Sequence, residues 1–323
     1  SLQAVVERLD DAYQKYFQKL KSGEIAQKKA QYIAKRLSKG LPLNLEKLAD
    51  FGKPKWARKD EYNSILFKEL REIENGFWLP KIGNLTVFKD RKTCGVLKTA
   101  MIKKEQDGFF ICVTFECESE NLYPTSENQA VGIDMGISYF LVDSNGCFIE
   151  NPRHTKKYEN RIRVKNRALA RKKKDSSGFK KSKQELNKLH SKIANVRKDF
   201  LHKTSLKYVK ENSLIVCEDL KVSNMIKFGN LSKHIADVSW SKFFEMTSYK
   251  AKFYEKEFIQ INPKYTSQTC SNCGHIAKEN RITQSKFDCV SCGHKQNADF
   301  NAAEIILGEG IALKRKREAL ACA

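Results

Sequence analysis

Residues 130–136 have the sequence Ala-Val-Gly-Ile-Asp-Met-Gly, an apolar run of strand length that ends in an acid, Asp134. A short apolar run bounded by glycine is typical of a buried strand. Glycine inside a strand lets another backbone or a ligand approach closely, and Gly132 and Gly136 flank this acid. We therefore predict an α/β fold in which this strand delivers a functional carboxylate.

Two further acids follow similar patterns. Residues 213–219, Ser-Leu-Ile-Val-Cys-Glu-Asp, form a second apolar run that leads to Glu218. Asp299 lies in the first turn of a predicted helix, which Asn297 can cap. Two strand ends and one helix start can bring Asp134, Glu218 and Asp299 to one side of a sheet. Considered one at a time, the acids also fit ordinary structural roles: Asp134 as a turn former, Glu218 as a surface acid and Asp299 as a helix-dipole partner.

If the three acids converge, their chemistry points to a magnesium site. Carboxylate oxygens are the ligands that Mg²⁺ or Mn²⁺ prefers. Two such ions roughly 4 Å apart stabilise both the attacking and the leaving oxygen in phosphodiester hydrolysis. The sequence therefore predicts a metal-dependent phosphodiesterase site at these carboxylates.

Four of the ten cysteines form a second constellation. Cys270 and Cys273 make one CxxC pair, and Cys289 and Cys292 make another after an interval of 15 residues. Two such knuckles can place four thiolates tetrahedrally around one ion, and the softness of sulfur favours zinc. Because the protein would fill all four positions, we expect a structural zinc site. Redox chemistry or simple burial of the thiols is the alternative.

The composition favours a polyanionic partner. Sixty Lys and Arg stand against 38 Asp and Glu, a formal charge of +22, and residues 151–210 alone hold 21 basic and four acidic residues. Such a block is either a solvated helix face or a nucleic-acid surface. No secretory signal and no apolar run of membrane-spanning length is present in the sequence given. We expect nucleic acid as partner, no membrane association, no small-molecule substrate and a cytoplasmic, nucleoid-associated location.

The periodicity divides the chain into helical and β-rich parts. Apolar residues at helical spacing predict a helix from Leu2 to about Gly23, and the period changes towards two after Gly76. The predicted strands are 84–89, 95–103, 108–116, 213–217 and 258–261, and the predicted last helix covers about 298–307.

We predict three domains. Residues 1–75 form a helical segment, residues 76–129 a β-module with a linker, and residues 130–323 the domain that carries the three acids. The cysteine module occupies about 264–296 within it. The fold class is therefore α/β and β-rich multidomain.

Five motifs resemble one known family. They are 131–136 (VGIDMG), 215–225 (IVCEDLKVSNM), 265–274 (YTSQTCSNCG), 289–293 (CVSCG) and 297–303 (NADFNAA). Their order and spacing are similar to those of TnpB proteins, transposon-encoded RNA-guided DNA endonucleases related to compact type V CRISPR effectors.

The resemblance implies a RuvC nuclease core of RNase H-like fold with an inserted zinc ribbon, behind a wedge β-barrel with a helical recognition segment. It matches Asp134, Glu218 and Asp299 to the family's catalytic, magnesium-binding acids. The implied partners are a guide RNA from the transposon end and target double-stranded DNA. Gln3 falls where relatives contact the short motif beside the target.

The chain also departs from the family pattern. The first wedge strand and the opening recognition helices are expected before Ser1, and residues from about 35 to 58 match poorly. Two alternatives to an active guided nuclease stay open: a catalytically idle RNA-guided DNA-binding regulator or relic, and a DNA transposase, because integrase-type folds carry a carboxylate triad on a similar sheet.

Overall fold

The structure is a computed structural model that describes residues 2–55, 64–88, 95–105, 108–117, 123–126, 129–222, 225 and 237–321. The chain divides into two compact units, Ser1–Glu118 and Ser119–Ala323. The division falls at the start of the predicted linker, most of which lies outside the described residues. Among the described helices, none is long and apolar enough to cross a membrane.

The first unit begins with three helices. Helix α1 spans Leu2–Lys21, α2 spans Glu24–Leu37 and α3 spans Leu45–Ala49. The helix predicted from Leu2 is confirmed, and it ends because Gly23 adopts a left-handed backbone with φ of 74°. Asn44 caps α3 by accepting a hydrogen bond from the Lys47 backbone N–H at 2.8 Å.

The described residues from Ser64 to the end of the first unit are mostly β-structure. The strands are β1 (Ser64–Phe67), β2 (Arg71–Ile73), β3 (Gly76–Leu79), β4 (Gly83–Thr86), β5 (Val96–Glu105) and β6 (Gly108–Glu116). They form two three-stranded antiparallel sheets, ordered β1-β5-β6 and β2-β3-β4. The change of period after Gly76 predicts this for the later strands, whereas the helical prediction for residues 1–75 was wrong at β1 and β2, because both strands complete sheets with partners further along the chain. The strand predicted over 84–89 ends at Thr86, and Lys89 lies outside the described residues.

A five-stranded sheet forms the centre of the second unit. Its strands are β7 (Ala130–Met135), β8 (Tyr139–Asp143), β9 (Phe148–Glu150), β10 (Leu214–Glu218) and β11 (Glu257–Ile261), in the order β11-β10-β7-β8-β9. The pairs β7-β8 and β8-β9 are antiparallel, whereas β10 is parallel to both β7 and β11. The acid-bearing strands β7 and β10 are therefore neighbours.

Helices cover both faces of this sheet. They are α5 (Ser177–Glu211), α6 (Trp240–Phe253) and α7 (Ala298–Ala321). Helix α4 (His154–Ala170) packs against α5. One face packs Ile133 with Leu201 of α5 and Phe243 of α6 in a common core. The opposite face packs Val216 with Ile306 of α7. A short hairpin, β12 (Lys286–Asp288) and β13 (Lys295–Asn297), belongs to the cysteine module.

Helix α7 is longer than predicted. The expected end near Leu307 was wrong, because the helix continues through Gly308 and Gly310 to Ala321. A Cβ atom at position 310 would lie 2.4 Å from the Val216 side chain. Gly310 therefore allows α7 to cross β10 closely, and it does not end the helix.

Candidate active site and metal centre

The three predicted acids line one cavity. Asp134 is the fifth residue of β7 and Glu218 is the last residue of β10. Because Cys217 pairs with Ile133 in parallel register, these two acids lie side by side at the carboxyl ends of adjacent strands. Asp299 is contributed by the first turn of α7, and all three acids border a cavity of about 320 Å³.

Gly132 explains why α7 lies so close to β7. A Cβ atom at position 132 would lie 2.2 Å from the Ala303 carbonyl oxygen and 2.6 Å from the Leu307 nitrogen of α7. Only hydrogen fits there. The prediction that this glycine allows another backbone to approach closely is confirmed. The close approach brings the N-terminal part of α7 over the strand that carries Asp134.

Asn297 fixes the first turn of α7. Its Oδ1 accepts hydrogen bonds from the backbone N–H groups of Asp299 at 2.9 Å and Phe300 at 3.1 Å. The predicted helix cap is therefore confirmed. The cap orients the turn in which the third acid lies.

Burial and mutual repulsion disfavour charge on these acids. Burial, followed by the charges of Glu218 and Asp299, raises the pKa of Asp134 to about 8. Burial also raises the pKa of Glu218, with a smaller contribution in the same direction from the charge of Glu309. Burial raises the pKa of Asp299, and Arg281 opposes that shift. A cluster of carboxyl oxygens whose ionised form is disfavoured without a nearby cation fits a hard divalent metal ion.

Sequence reasoning missed two residues of the cavity that donate hydrogen bonds to the acids. Arg281 Nη2 donates a hydrogen bond to Asp299 Oδ1 at 2.9 Å, and the Thr266 hydroxyl donates one to Glu218 Oε1. Both lie in or beside the cysteine module, where the cysteine pattern dominates the sequence signal. A lone Arg or Thr carries no chemical signature of its own, so only the fold reveals these contacts.

The four predicted cysteines form a compact cluster. Their sulfur atoms all lie within 4.8 Å of one another. The Cys270 and Cys292 sulfurs are 3.7 Å apart, and those of Cys273 and Cys289 are 3.6 Å apart. These distances exclude disulfides, whose S–S bond is about 2.0 Å. They match the edges of about 3.8 Å of a tetrahedron with Zn–S bonds of about 2.3 Å, so the cluster can hold zinc.

The four thiols do not share one acidity. At Cys273 a hydrogen bond from the His275 backbone favours thiolate but is outweighed by the neighbouring thiols and burial, which raise its pKa to about 12, and burial raises the pKa of Cys270. Cys292 is the cysteine at which the backbone favours thiolate. A hydrogen bond from the His294 backbone, more than any other contact, lowers the pKa of the Cys292 thiol to about 6. The backbone N–H groups of Cys270 and Cys289 donate to the carbonyl oxygens of His275 and His294. The two histidines therefore contribute backbone contacts outside the four-sulfur set.

The cysteine module is tied to the start of α7. Asn301 is fully buried in α7; its Oδ1 accepts from the Ser271 N–H at 3.0 Å and its Nδ2 donates to the Thr269 carbonyl at 2.7 Å. Both contacts flank Cys270. The four-cysteine cluster and the carboxylate cavity are therefore joined through the start of α7. Gln3, in α1, has no described side chain, so its predicted contact stays a prediction.

The fold and the two clusters define a class: an α/β protein with a carboxylate-lined cavity at the carboxyl ends of parallel strands and a four-cysteine module beside it. Two family models match the chain. OrfB_IS605, described as a probable transposase, matches residues 110–229, and the Cas12f1-like TNB domain matches residues 240–306.

Relatives narrow the class to one family. The putative RNA-guided DNA endonuclease InsQ of Escherichia coli (strain K12) is 32% identical over 328 residues, which cover 97% of this chain and 74% of InsQ. TnpB-like protein L79 of Acanthamoeba polyphaga mimivirus is 29% identical over 57% of this chain and 38% of its own length. The chain belongs to the TnpB family. A cryo-EM structure of a Cas12f1–sgRNA–target DNA complex aligns with a TM-score of 0.43 at 18% identity, covering 64% of this chain and 55% of that one.

Proposed function

We propose that the chain is an RNA-guided DNA endonuclease that cleaves target DNA by metal-dependent phosphodiester hydrolysis. The observation that carries the proposal is the meeting of Asp134, Glu218 and Asp299 in one cavity at the carboxyl ends of β7 and β10. The naming of InsQ as a putative RNA-guided DNA endonuclease supports it.

The nuclease core corresponds to a RuvC-like domain of RNase H-like fold. An antiparallel β7-β8-β9 meander followed by β10 and β11, both parallel to β7, supports that assignment. The proposed domains are a helical recognition segment at 1–75, a wedge β-module at 76–129, and the nuclease domain at 130–323 with its zinc ribbon at about 264–296. The two three-stranded sheets of the first unit support a β-rich wedge. Their strands β1 and β2 precede residue 76 and pair with strands after it, so the β-module begins by Ser64 and the helical segment ends before it.

The carboxylates would hold Mg²⁺ or Mn²⁺ as the catalytic cofactor. When bound, the metal supplies positive charge to the attacking and leaving oxygens of the phosphodiester. The protein's own groups hold the ligands in place: the Thr266 hydroxyl fixes one oxygen of Glu218, and Arg281 fixes one oxygen of Asp299. Arg281 also keeps a permanent positive charge at the cavity, where a phosphate would bind.

The ribbon cysteines, Cys270, Cys273, Cys289 and Cys292, would hold a structural zinc. With four sulfurs from protein, no position is left for a reacting water. The contacts of Asn301 with both sides of Cys270 support a role for the ribbon in holding α7, and with it Asp299, in place.

The partners in this proposal are a guide RNA from the transposon end and target double-stranded DNA. The net charge of +22 and the many exposed Lys and Arg side chains of α4 and α5 support a polyanionic partner. Base pairing with the guide would select the target, and Gln3 would contact the short motif beside it. Such partners imply a cytoplasmic, nucleoid-associated protein.

A DNA transposase is the second candidate, because the family model over residues 110–229 is described as a probable transposase. A transposase would join DNA strands at defined element ends without RNA. A guided nuclease requires RNA and leaves cut ends. The idle regulator differs from both, since it binds a guide and a target without cutting.

One experiment separates the three candidates. The chain is purified with its native genomic surroundings, co-purified RNA is sequenced, and plasmid cleavage with Mg²⁺ is compared with Asp134→Ala. A discrete RNA with cutting at matching sites that Asp134→Ala abolishes supports the guided nuclease. A bound RNA without cutting indicates the regulator, and strand joining without RNA indicates the transposase.

A further inference from the structure

A row of residues crosses the sheet from the carboxylates to its edge. Asp134 on β7 lies opposite Val142 on β8, and Val142 lies opposite Phe148 on β9. Residues directly opposite on neighbouring strands project from the same face of a sheet. Phe148 therefore shares a face with Asp134, two strands away. Because strands are about 4.8 Å apart, the two positions are about 10 Å apart.

Tyr139 joins Phe148 on this face. The β8-β9 pairing shifts register between Tyr139 and Leu141, so that Tyr139 lies opposite Glu150. Glu150 lies two residues after Phe148 on β9 and projects to the same side. The rings of Tyr139 and Phe148 are 5.2 Å apart at an interplanar angle of 68°, an edge-to-face pair. In an edge-to-face pair, the edge of one ring contacts one face of the other ring. The two rings therefore do not cover each other's faces completely.

The pair is open to solvent. Tyr139 and Phe148 are each 39% exposed, and β9 is the outer strand of the sheet in the part of the chain that the structure describes. The hairpin between β7 and β8 leads from the cavity directly to the pair, because Gly136, Ile137 and Ser138 line the cavity and Tyr139 follows. Tyr139 is thus the first residue of the chain beyond the described cavity lining.

We propose that Tyr139 and Phe148 form a stacking site for an unpaired nucleobase of the DNA strand whose phosphate lies at the carboxylates. The inference rests on the proposed function and adds a substrate-binding subsite to it. A strand held at Asp134 must leave the cavity, and the aromatic pair begins one residue beyond the cavity lining, with Phe148 about 10 Å from Asp134 along the sheet. Stacking on aromatic side chains contributes about 1–3 kcal/mol per base and tolerates any base, which suits an enzyme guided by RNA.

The competing explanation is that the pair only stabilises the β8-β9 hairpin. Cross-strand aromatic pairs contribute up to about 1 kcal/mol to a sheet. That role predicts a loss of stability on substitution and no dependence on any base of the substrate. The two explanations therefore differ in a quantity that can be measured directly.

The binding experiment uses single-stranded DNA with 2-aminopurine at one position, without added divalent metal, and the full chain. Stacking quenches 2-aminopurine fluorescence. We expect quenching with wild type, equal quenching with Tyr139→Phe, and loss of quenching with about 5- to 20-fold weaker binding in the Tyr139→Leu/Phe148→Leu variant. Tyr249→Leu, a half-exposed tyrosine in α6, is the matched control and should bind as wild type. Equal quenching by wild type and the double variant, or no quenching by either, would overturn the proposal.

The cleavage experiment places one abasic site at successive positions around the cut. For wild type, the abasic substrate should have a higher KM than the intact substrate when the abasic site lies at one particular position. For the double leucine variant, the abasic site at that position should not raise KM, because the contact between ring and base is already absent. If the abasic site and the double substitution raise KM independently, so that their factors multiply, the stacking site would be overturned. Failure of wild type to cut any substrate counts against the proposed function alone, since the fluorescence result still decides the stacking site.

Discussion

Arg281 donates a hydrogen bond from Nη2 to Oδ1 of Asp299 at 2.9 Å, and this contact joins the cysteine ribbon to the carboxylate cavity. The preceding residue, Asn280, is fully buried and anchors the ribbon loop: its Nδ2 donates to the His275 carbonyl at 3.1 Å and its Oδ1 accepts from the Val290 N–H at 3.0 Å. The position of the arginine is therefore set by the fold of the ribbon.

The first prediction concerns this arginine. Arg281→Ala should lower kcat/KM for DNA cleavage by about 10- to 100-fold, because Asp299 loses the donor that orients it and the cavity loses its permanent cation. Arg281→Lys should recover part of the loss, since it restores charge without the planar fork. Lys278→Ala on the same ribbon is the control. Cleavage at the wild-type rate by Arg281→Ala would show that the contact has no role in the reaction.

Asp134→Asn should separate activity from stability. The substitution removes a metal ligand, so cleavage should be abolished while RNA binding is kept. It also removes an acid whose pKa burial, Glu218 and Asp299 raise to about 8, and with it the cost of keeping that acid folded near neutral pH, so the metal-free protein should gain about 1 kcal/mol or more in its free energy of unfolding. Chemical denaturation with and without Mg²⁺ measures this gain. A metal-free variant less stable than wild type would contradict the repulsion inferred here.

Gly132→Ala should damage the site without touching an acid. The added methyl group would meet the Ala303 carbonyl, so α7 must move away from β7 and take Asp299 with it. We expect a loss of about 1–3 kcal/mol in the free energy of unfolding and a large drop in cleavage. Gly308→Ala is the matched control, because no atom lies within 4 Å of its added Cβ; it should be neutral or stabilising. Equal behaviour of the two variants would contradict the close crossing.

The sequence predicted the parts of this protein that carry strong local signals. Asp134 and Glu218 follow apolar runs whose strand character does not depend on the rest of the chain, and the cysteine spacing indicates its own metal geometry. The length of α7 could not be predicted, because Gly308 and Gly310 indicate a helix end unless the crossing of β10 is known. The contact of Arg281 depends on how the ribbon folds back, which no local pattern encodes.

The zinc prediction is tested by Cys270→Ser. Because the energy of binding a structural metal is also folding energy, the variant should lose zinc and melt several degrees lower. It should also lose cleavage activity, since Arg281 and Asn301 depend on the ribbon. Cys112→Ser, at an exposed cysteine of β6, is the control and should retain zinc. Full zinc content and unchanged melting in Cys270→Ser would overturn the structural zinc site.

A buried lysine of α6 lies outside the carboxylate cavity. Lys250 of α6 is 8% exposed, and its Nζ donates to the His202 carbonyl at 2.7 Å and to Ser205 Oγ at 2.8 Å on α5. Burial lowers the pKa of Lys250 to about 8, below its ordinary value of 10.5.

The sign of the pH dependence follows from linkage. Between about pH 8 and 10.5 the unfolded chain binds more protons at this lysine than the folded chain, so its contribution to stability rises with pH across that window and is unfavourable below it. The total change is at most about 3 kcal/mol. Subtracting the unfolding free energies of Lys250→Met from those of wild type at each pH should give a difference that rises from pH 8 to 10. Lys252→Met, an exposed lysine on the same helix, should give a flat difference. A flat curve for Lys250→Met would mean that the lysine keeps an ordinary pKa despite its burial.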